Sequence, residues 1–161
     1  MTDGPHIDPA ELANLDTELA SRAAQVYALY AFAIDYGDFD LLDSLLAEDI
    51  AITRGETLHS GREAFMQVYR NNWDADWSAG KHHIGNVLAS RQDGGLVRSR
   101  AYFQAVFIRS DRTSVITGRY DDLLEDTDGR LLIKRKRINV EGVVDLPESA
   151  REWGGYRLWS R

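Results

Sequence analysis

Residues 81–142 read KHHIGNVLASRQDGGLVRSRAYFQAVFIRSDRTSVITGRYDDLLEDTDGRLLIKRKRINVEG, and this stretch decides the fold. It holds β-type segments at about 81–91, 96–109, 113–126 and 130–142. The breaks between them are Asp93-Gly94-Gly95, Ser110-Asp111-Arg112 and Asp128-Gly129, residue types that turn a chain back on itself within a few positions. The pattern predicts an antiparallel meander. Segments of this length exceed the usual strand of about five or six residues and would run ~40 Å at about 3.3 Å per residue, so they must twist and bend. A sheet bent that far has a concave side.

Upstream the period changes. Leu15, Leu19, Ala23, Val26, Tyr27, Tyr30 and Ile34 recur at steps of three and four, the stripe of an amphipathic helix, with Asn14 or Asp16 as its cap and Gly37 as its stop. Asp38 or Asp40 caps a short second helix carrying Leu41, Leu42, Leu45 and Leu46. Ile50, Ile52 and the Arg54-Gly55-Glu56 turn predict a short hairpin, and Gly61 to Trp73 a third helix with Phe65, Val68 and Tyr69 on one side. Helices first and strands afterwards is the α+β order. The expected architecture is a cone-shaped α+β barrel, three N-terminal helices on a strongly curved, mostly antiparallel sheet that encloses a cavity. A chain of 161 residues suits one domain. It divides into a flexible arm (1–12), the barrel domain (13–146) and an aromatic tail (147–161). The tail carries Trp153, Tyr156, Leu158 and Trp159, which should pack on the cavity mouth or a dimer interface.

Charge and composition exclude several functions. Lys plus Arg total 19 against 26 Asp plus Glu, a net charge of −7 that repels a phosphate backbone, so no nucleic-acid partner is expected. The absence of cysteine removes disulfides, thiolate nucleophiles and Cys-ligated metals together. The longest apolar run of the helical half, Val26–Ile34, falls far short of the ~20 residues that cross a bilayer. Met1–Leu12 has neither a basic nor an apolar signal region. Both point to a cytoplasmic protein with no membrane partner. No HExxH, phosphate loop, nucleophile elbow or dinucleotide fingerprint occurs, so neither metal nor cofactor is expected.

Three stretches can carry chemistry. Asp35 ends the most apolar helix, where the negative end of the macrodipole disfavours its charge; a carboxylate kept there is a candidate general base, or simply a helix stop bonded to nearby backbone. Lys81-His82-His83-Ile84-Gly85-Asn86 opens the first long strand. Adjacent strand residues point to opposite faces, so one of His82 and His83 looks into the cavity, with Asn86 on the face of His82 as a polar anchor. The run Lys134-Arg135-Lys136-Arg137 splits into Arg135 and Arg137 on one side, Lys134 and Lys136 on the other. Half of it reads as a solvated face, and Arg109, Arg112 and Arg119 read as surface residues too. One inward arginine would neutralise an anionic substrate.

Taken in order, Tyr30-Ala-Phe-Ala-Ile-Asp35-Tyr-Gly-Asp38, Gly61-Arg-Glu-Ala, His82-His-Ile-Gly-Asn86, Gly118-Arg119-Tyr120-Asp121 and Asp128-Gly129 resemble the SnoaL-like branch of the nuclear-transport-factor-2-like superfamily. The likeness covers roughly residues 15–142. The branch includes scytalone dehydratase, hexachlorocyclohexane dehydrochlorinase, bile-acid 7α-dehydratase and polyketide cyclases. The resemblance implies an acid–base dyad of Asp35 and His82 with Tyr30 beside it. His82 is preferred because the dyad histidine of such enzymes stands four residues before a small or polar residue, here Asn86; His83 is the second choice. The following strand carries Tyr102-Phe103 where scytalone dehydratase has a second histidine.

The function expected from these readings is cofactor-independent elimination, isomerisation or cyclisation of a small hydrophobic, cyclic molecule. Asn86, Phe32, Phe65, Tyr69, Trp73, Tyr102 and Phe103 are the candidate substrate-binding residues. The rival is a non-catalytic binding or assembly subunit on the same fold, such as the small subunit of a ring-hydroxylating dioxygenase. A homodimer or higher homo-oligomer is expected through the convex sheet face, carrying either Ala105 and Phe107 or Val106 and Ile108.

Overall fold

Asp16 opens the helix that organises the molecule, its side chain accepting the backbone N–H of Leu19 at 3.0 Å from an extended backbone, as an N-cap does. The structure, a computed structural model, describes residues 7, 9–73, 79–109 and 111–147. The aromatic tail of the sequence reading and most of the N-terminal arm lie outside these. Of the arm, Pro9–Leu12 forms a single turn, α1, anchored by Glu11 to Arg100 at 3.0 Å. Helix α2 is Thr17–Tyr36. Because Asp16 is the cap, Leu15 stays outside the helix and bridges to Ser90. Leu19, Ala23, Val26, Tyr27, Tyr30 and Ile34 are all buried, as their spacing requires.

Gly37 ends α2 in the left-handed conformation (φ 69°), and both its N–H and that of Asp38 reach the Ala33 carbonyl. Asp38 then caps α3 (Phe39–Ser44) through the N–H of Leu41 at 2.9 Å. Leu46, expected on this helix, instead starts β1 (Leu46–Arg54), which turns into β2 (Thr57–Ser60) before α4 (Arg62–Trp73). The long strands are β3 (Ala79–Arg91), β4 (Leu96–Ile108), β5 (Arg112–Thr127) and β6 (Arg130–Pro147).

These strands form one six-stranded sheet in the order β2-β1-β6-β5-β4-β3. The meander β3 to β6 is antiparallel throughout, as the turns predicted. The exception is β1, which runs parallel to β6 with Ala51 opposite Arg135 and Arg54 opposite Ile138. No local pattern announces a pairing between residues so far apart. Register shifts interrupt the ladders at Gly85/Leu88, Thr117/Gly118 and Leu123/Leu124. Each extra residue kinks its strand, and together they curl the sheet around α2. The result is the cone-like α+β architecture, helices packed on the sheet around a core that includes Leu19, Tyr27, Leu42, Ile50, Phe65, Val97, Leu124 and Ile133.

Close packing decides one inner-face position. A Cβ at Gly118 would stand 2.1 Å from the Asn139 carbonyl oxygen and 2.8 Å from the Phe103 ring. Glycine alone lets Phe103 lie over this point and stack on Tyr120, ring centroids 4.7 Å apart and planes 14° from parallel.

Candidate active site

The C-terminal turn of α2 packs against β3, and there the Asp35 carboxylate, 8% exposed, engages His82 with both oxygens. Oδ2 accepts the His82 backbone N–H at 2.9 Å, and Oδ1 lies 2.6 Å from Nδ1 of the ring. The two contacts offset the unfavourable end of the helix dipole. With the carboxylate accepting, Nδ1 carries the proton and Nε2 is the basic nitrogen. Opposite His82 on β4 stands Ala105, which lines the cavity with it. His83 faces outward, exposed, beside Asn86, Tyr102 and Gln104.

The cavity measures about 160 Å³, and its wall is mostly apolar: Ile34, Phe39, Val68, Phe103, Phe107 and Ile116 among others. Its polar groups are the His82 ring, Tyr30, Tyr69, Tyr120, Arg54 and Arg109. The hydroxyls of Tyr30 and Tyr69 are 2.6 Å apart. One donates to the other, so the acceptor's own proton stays available to a bound oxygen. Burial holds Tyr30, Tyr69 and Tyr120 above the usual phenol range, so all are neutral donors near pH 7.

The structure thus gathers Asp35, His82, Tyr30, Tyr69 and Phe103 from the residues proposed by sequence. Others lie elsewhere. Phe32 is 62% exposed and stacks on Tyr36 outside the cavity, because it lies off the buried stripe of α2. Phe65 is fully buried against Tyr69, 5.0 Å between centroids, a residue supporting the wall rather than lining it. Tyr102, half-exposed, points to the outer face, as its neighbour Phe103 points in. The Trp73 side chain lies outside the described residues. Asn86 sits in the β3 bulge at φ 52° and is exposed. The extra residue there reverses the alternation, so the strand faces inward at His82 and Ile84, then at Val87 and Ala89. Asn86 is therefore not on the face of His82.

A second bulge decides the basic run. Past the Leu123/Leu124 shift, Arg135 and Arg137 are exposed while Lys136 is 1% exposed. The inward cation is a lysine, and it serves the core. Lys136 Nζ binds Asp122 Oδ2 at 2.9 Å and lies 3.6 Å from the Tyr120 ring centroid and 4.2 Å from that of Tyr30. Asp122 also accepts the Arg137 backbone N–H at 2.9 Å. Burial lowers the Lys136 pKa and raises that of Asp122, each resisted by the other's charge. Sequence reasoning also missed Arg109, although two-residue steps from Phe103 through Ala105 and Phe107 lead to it. Val106 and Ile108 take the outer face, since Ala105 and Phe107 line the cavity.

Comparison with known proteins adds the following. The family model described as SnoaL-like domain matches residues 17–137. No functionally curated protein matches the chain. Among solved structures, hexachlorocyclohexane dehydrochlorinase LinA type 2 is similar with a TM-score of 0.71 at 18% identity, over 81% of this chain and 92% of that one. LinA type 3 from Novosphingobium barchaimii LL02 is similar with a TM-score of 0.69 at 19% identity, over 80% and 92%. A candidate scytalone dehydratase from Novosphingobium aromaticivorans DSM 12444 gives 0.71 at 17% identity, over 78% and 86%. Identities this low establish a shared fold. Among the described residues no helix is long and apolar enough to cross a membrane.

Proposed function

Because this chain belongs to the SnoaL-like domain family across residues 17–137, we propose that it is a cofactor-independent acid–base enzyme, a lyase of the dehydratase kind or an isomerase or cyclase. Its substrate is a small, largely hydrophobic, cyclic molecule. The observation that carries this reading is the double engagement of His82 by Asp35 at the wall of an apolar cavity. A histidine kept only for packing needs no buried carboxylate at the wrong end of a helix.

In the proposed reaction Nε2 of His82 removes a proton from carbon next to an activating carbonyl, and Asp35 stabilises the imidazolium that forms. The Tyr30–Tyr69 pair donates a hydrogen bond to the oxygen on which negative charge develops. Collapse of that enolate expels a leaving group from the adjacent carbon or returns the proton elsewhere. The names of the similar structures, a dehydrochlorinase and a candidate dehydratase, accord with elimination. We further propose a homodimer through the outer sheet face, where Tyr102 is half-exposed beside Val106 and Ile108. An 18.2 kDa particle in light scattering at micromolar concentration would contradict it.

The test requires no knowledge of the natural substrate. A panel of cyclic ketones and β-hydroxy ketones is incubated with the protein in D2O and followed by mass spectrometry for C–H exchange or loss of water. Exchange that Asp35→Asn and His82→Ala each reduce at least a hundredfold supports the dyad. Turnover unchanged in both variants overturns it and leaves the binding-subunit reading.

A further inference from the structure

The chain as a whole is acidic, with 26 Asp and Glu against 19 Lys and Arg. Its cavity has the opposite character. Among the described residues the charged side chains lining it are Arg54 and Arg109 and no carboxylate lines it, Asp35 standing behind the His82 ring. A low-dielectric pocket with cationic walls focuses its field and attracts an anion from solution.

Arg109 is the more telling of the two arginines. It follows β4 and lines the cavity on the same face as Phe103, Ala105 and Phe107. The side chain is half-buried, and its Nε is fully buried with no hydrogen-bond partner among the described residues. No ion pair to Arg109 occurs among the described residues, whereas Arg22, Arg62, Arg70, Arg98, Arg100, Arg112 and Arg119 each face a carboxylate. A buried donor left unsatisfied costs free energy unless a ligand supplies the acceptor. A guanidinium is planar and forked and matches two oxygens of a carboxylate or a phosphate; in a cavity walled mostly by apolar side chains the singly charged carboxylate is the one that costs less to desolvate.

Spacing sets the rest of the ligand. Ala105 stands opposite His82 on the neighbouring strand, and Arg109 lies four residues further along the chain, about 13 Å between Cα atoms at about 3.3 Å per residue. Between them the wall is Ala105, Phe107 and Ile116, which suits a flat hydrocarbon body and offers it no hydrogen bonds.

We propose that the substrate is an organic acid: a ring-bearing carboxylate whose anionic end docks on Arg109, at the edge of the cavity away from the dyad, while its reacting C–H meets His82. This rests on the acid–base reading of the dyad and adds the class of molecule on which it acts. Docking the carboxylate at one end fixes which carbon faces Nε2, so Arg109 is a binding and orienting residue that takes no part in proton transfer.

The test uses trans-cinnamate and cinnamamide, a matched pair of similar shape that differ in charge. Isothermal titration at pH 7.5 and low ionic strength should show the wild-type protein binding cinnamate at least tenfold more tightly than cinnamamide. Arg109→Gln should bring the ratio within about twofold while leaving the amide's affinity where it was. Arg109→Lys, which keeps the charge and loses the fork, should fall between, and circular dichroism checks that both variants are folded. His82→Ala should keep the full preference for the acid. A wild-type protein that does not prefer cinnamate, including one that binds neither compound, overturns the proposal, as does a preference that survives in Arg109→Gln. Failure of the dyad reading shows instead in the D2O exchange experiment, with the cinnamate preference intact.

Discussion

The Asp35 carboxylate holds a single residue at two points, the backbone N–H of His82 at 2.9 Å and Nδ1 of its ring at 2.6 Å. The backbone contact locks β3 to the end of α2, and the ring contact sets the tautomer. One side chain thereby fixes where the imidazole stands and which nitrogen faces the cavity.

If the two residues act as a unit, their losses do not add. Asp35→Asn and His82→Ala should each lower turnover by about 10²–10⁴-fold, and the double variant should be no worse than the poorer single one. Single-turnover rates of the four proteins decide this, and multiplied losses would show independent roles. In nitrogen-15 NMR the wild-type ring should carry its proton on Nδ1.

Asn86 provides a contrast between strain and chemistry. It occupies φ 52°, a conformation that asparagine tolerates and that costs nothing for glycine. Asn86→Gly should be as stable as the wild type or slightly better, and Asn86→Ala less stable by about 1 kcal/mol in chemical denaturation. Neither should move turnover by more than about twofold, since the side chain lies outside the cavity. A large catalytic defect in Asn86→Gly would return the residue to the site.

The pair of Lys136 and Asp122, whose side chains are both fully buried, makes a different kind of prediction. Lys136→Met alone strands a carboxylate in the core and should cost about 3–5 kcal/mol. Adding Asp122→Asn keeps an acceptor for the Arg137 N–H and removes the charge, so the double variant should recover most of the loss. Urea midpoints of the wild type, of Lys136→Met and of the double variant measure the recovery. Equal instability of the single and double variants would mean that packing, not charge, is at stake.

Alkaline pH tests the tyrosine cluster. Burial raises the pKa of Tyr27, Tyr30, Tyr69 and Tyr120, so above pH ~10 the unfolded chain releases phenolic protons that the folded chain keeps. The unfolded state then binds fewer protons, and stability must fall as pH rises, by up to about 1.4 kcal/mol per phenol per pH unit. Lys136, with its lowered pKa, works the other way below its unfolded value, but with a single proton. Denaturation between pH 9 and 12, followed by phenolate absorbance, should therefore show stability dropping and these phenols ionising together with unfolding. Their ionisation in a still-folded protein would contradict the burial.

Much of this molecule could be read from residue order. The stripe from Leu19 to Ile34, the Asp16 and Asp38 caps, the Gly37 stop and the hairpin turns are local signals. They depend on neighbours within a few positions, and the structure realises them. Asp35 stands out locally as a carboxylate in the last turn of the most apolar helix, whereas its pairing with His82 is implied only by the resemblance to SnoaL-like proteins.

Side-chain direction beyond a bulge was not legible. Asn86 sits in a bulge and Lys136 follows one, each bulge reversing which face the strand presents, and which face of β4 turns inward, and so the place of Arg109, is set only by the tertiary structure. The parallel pairing of β1 with β6 was invisible as well, joining Leu46–Arg54 to Ile133–Ile138 across most of the chain. The sequence alone determined the elements and their order, because helix and strand periods, caps and turns are short-range physics. The tertiary structure alone decided which groups share the cavity, because the places where strands must bulge are set by wrapping the sheet around α2, a condition that no local window contains.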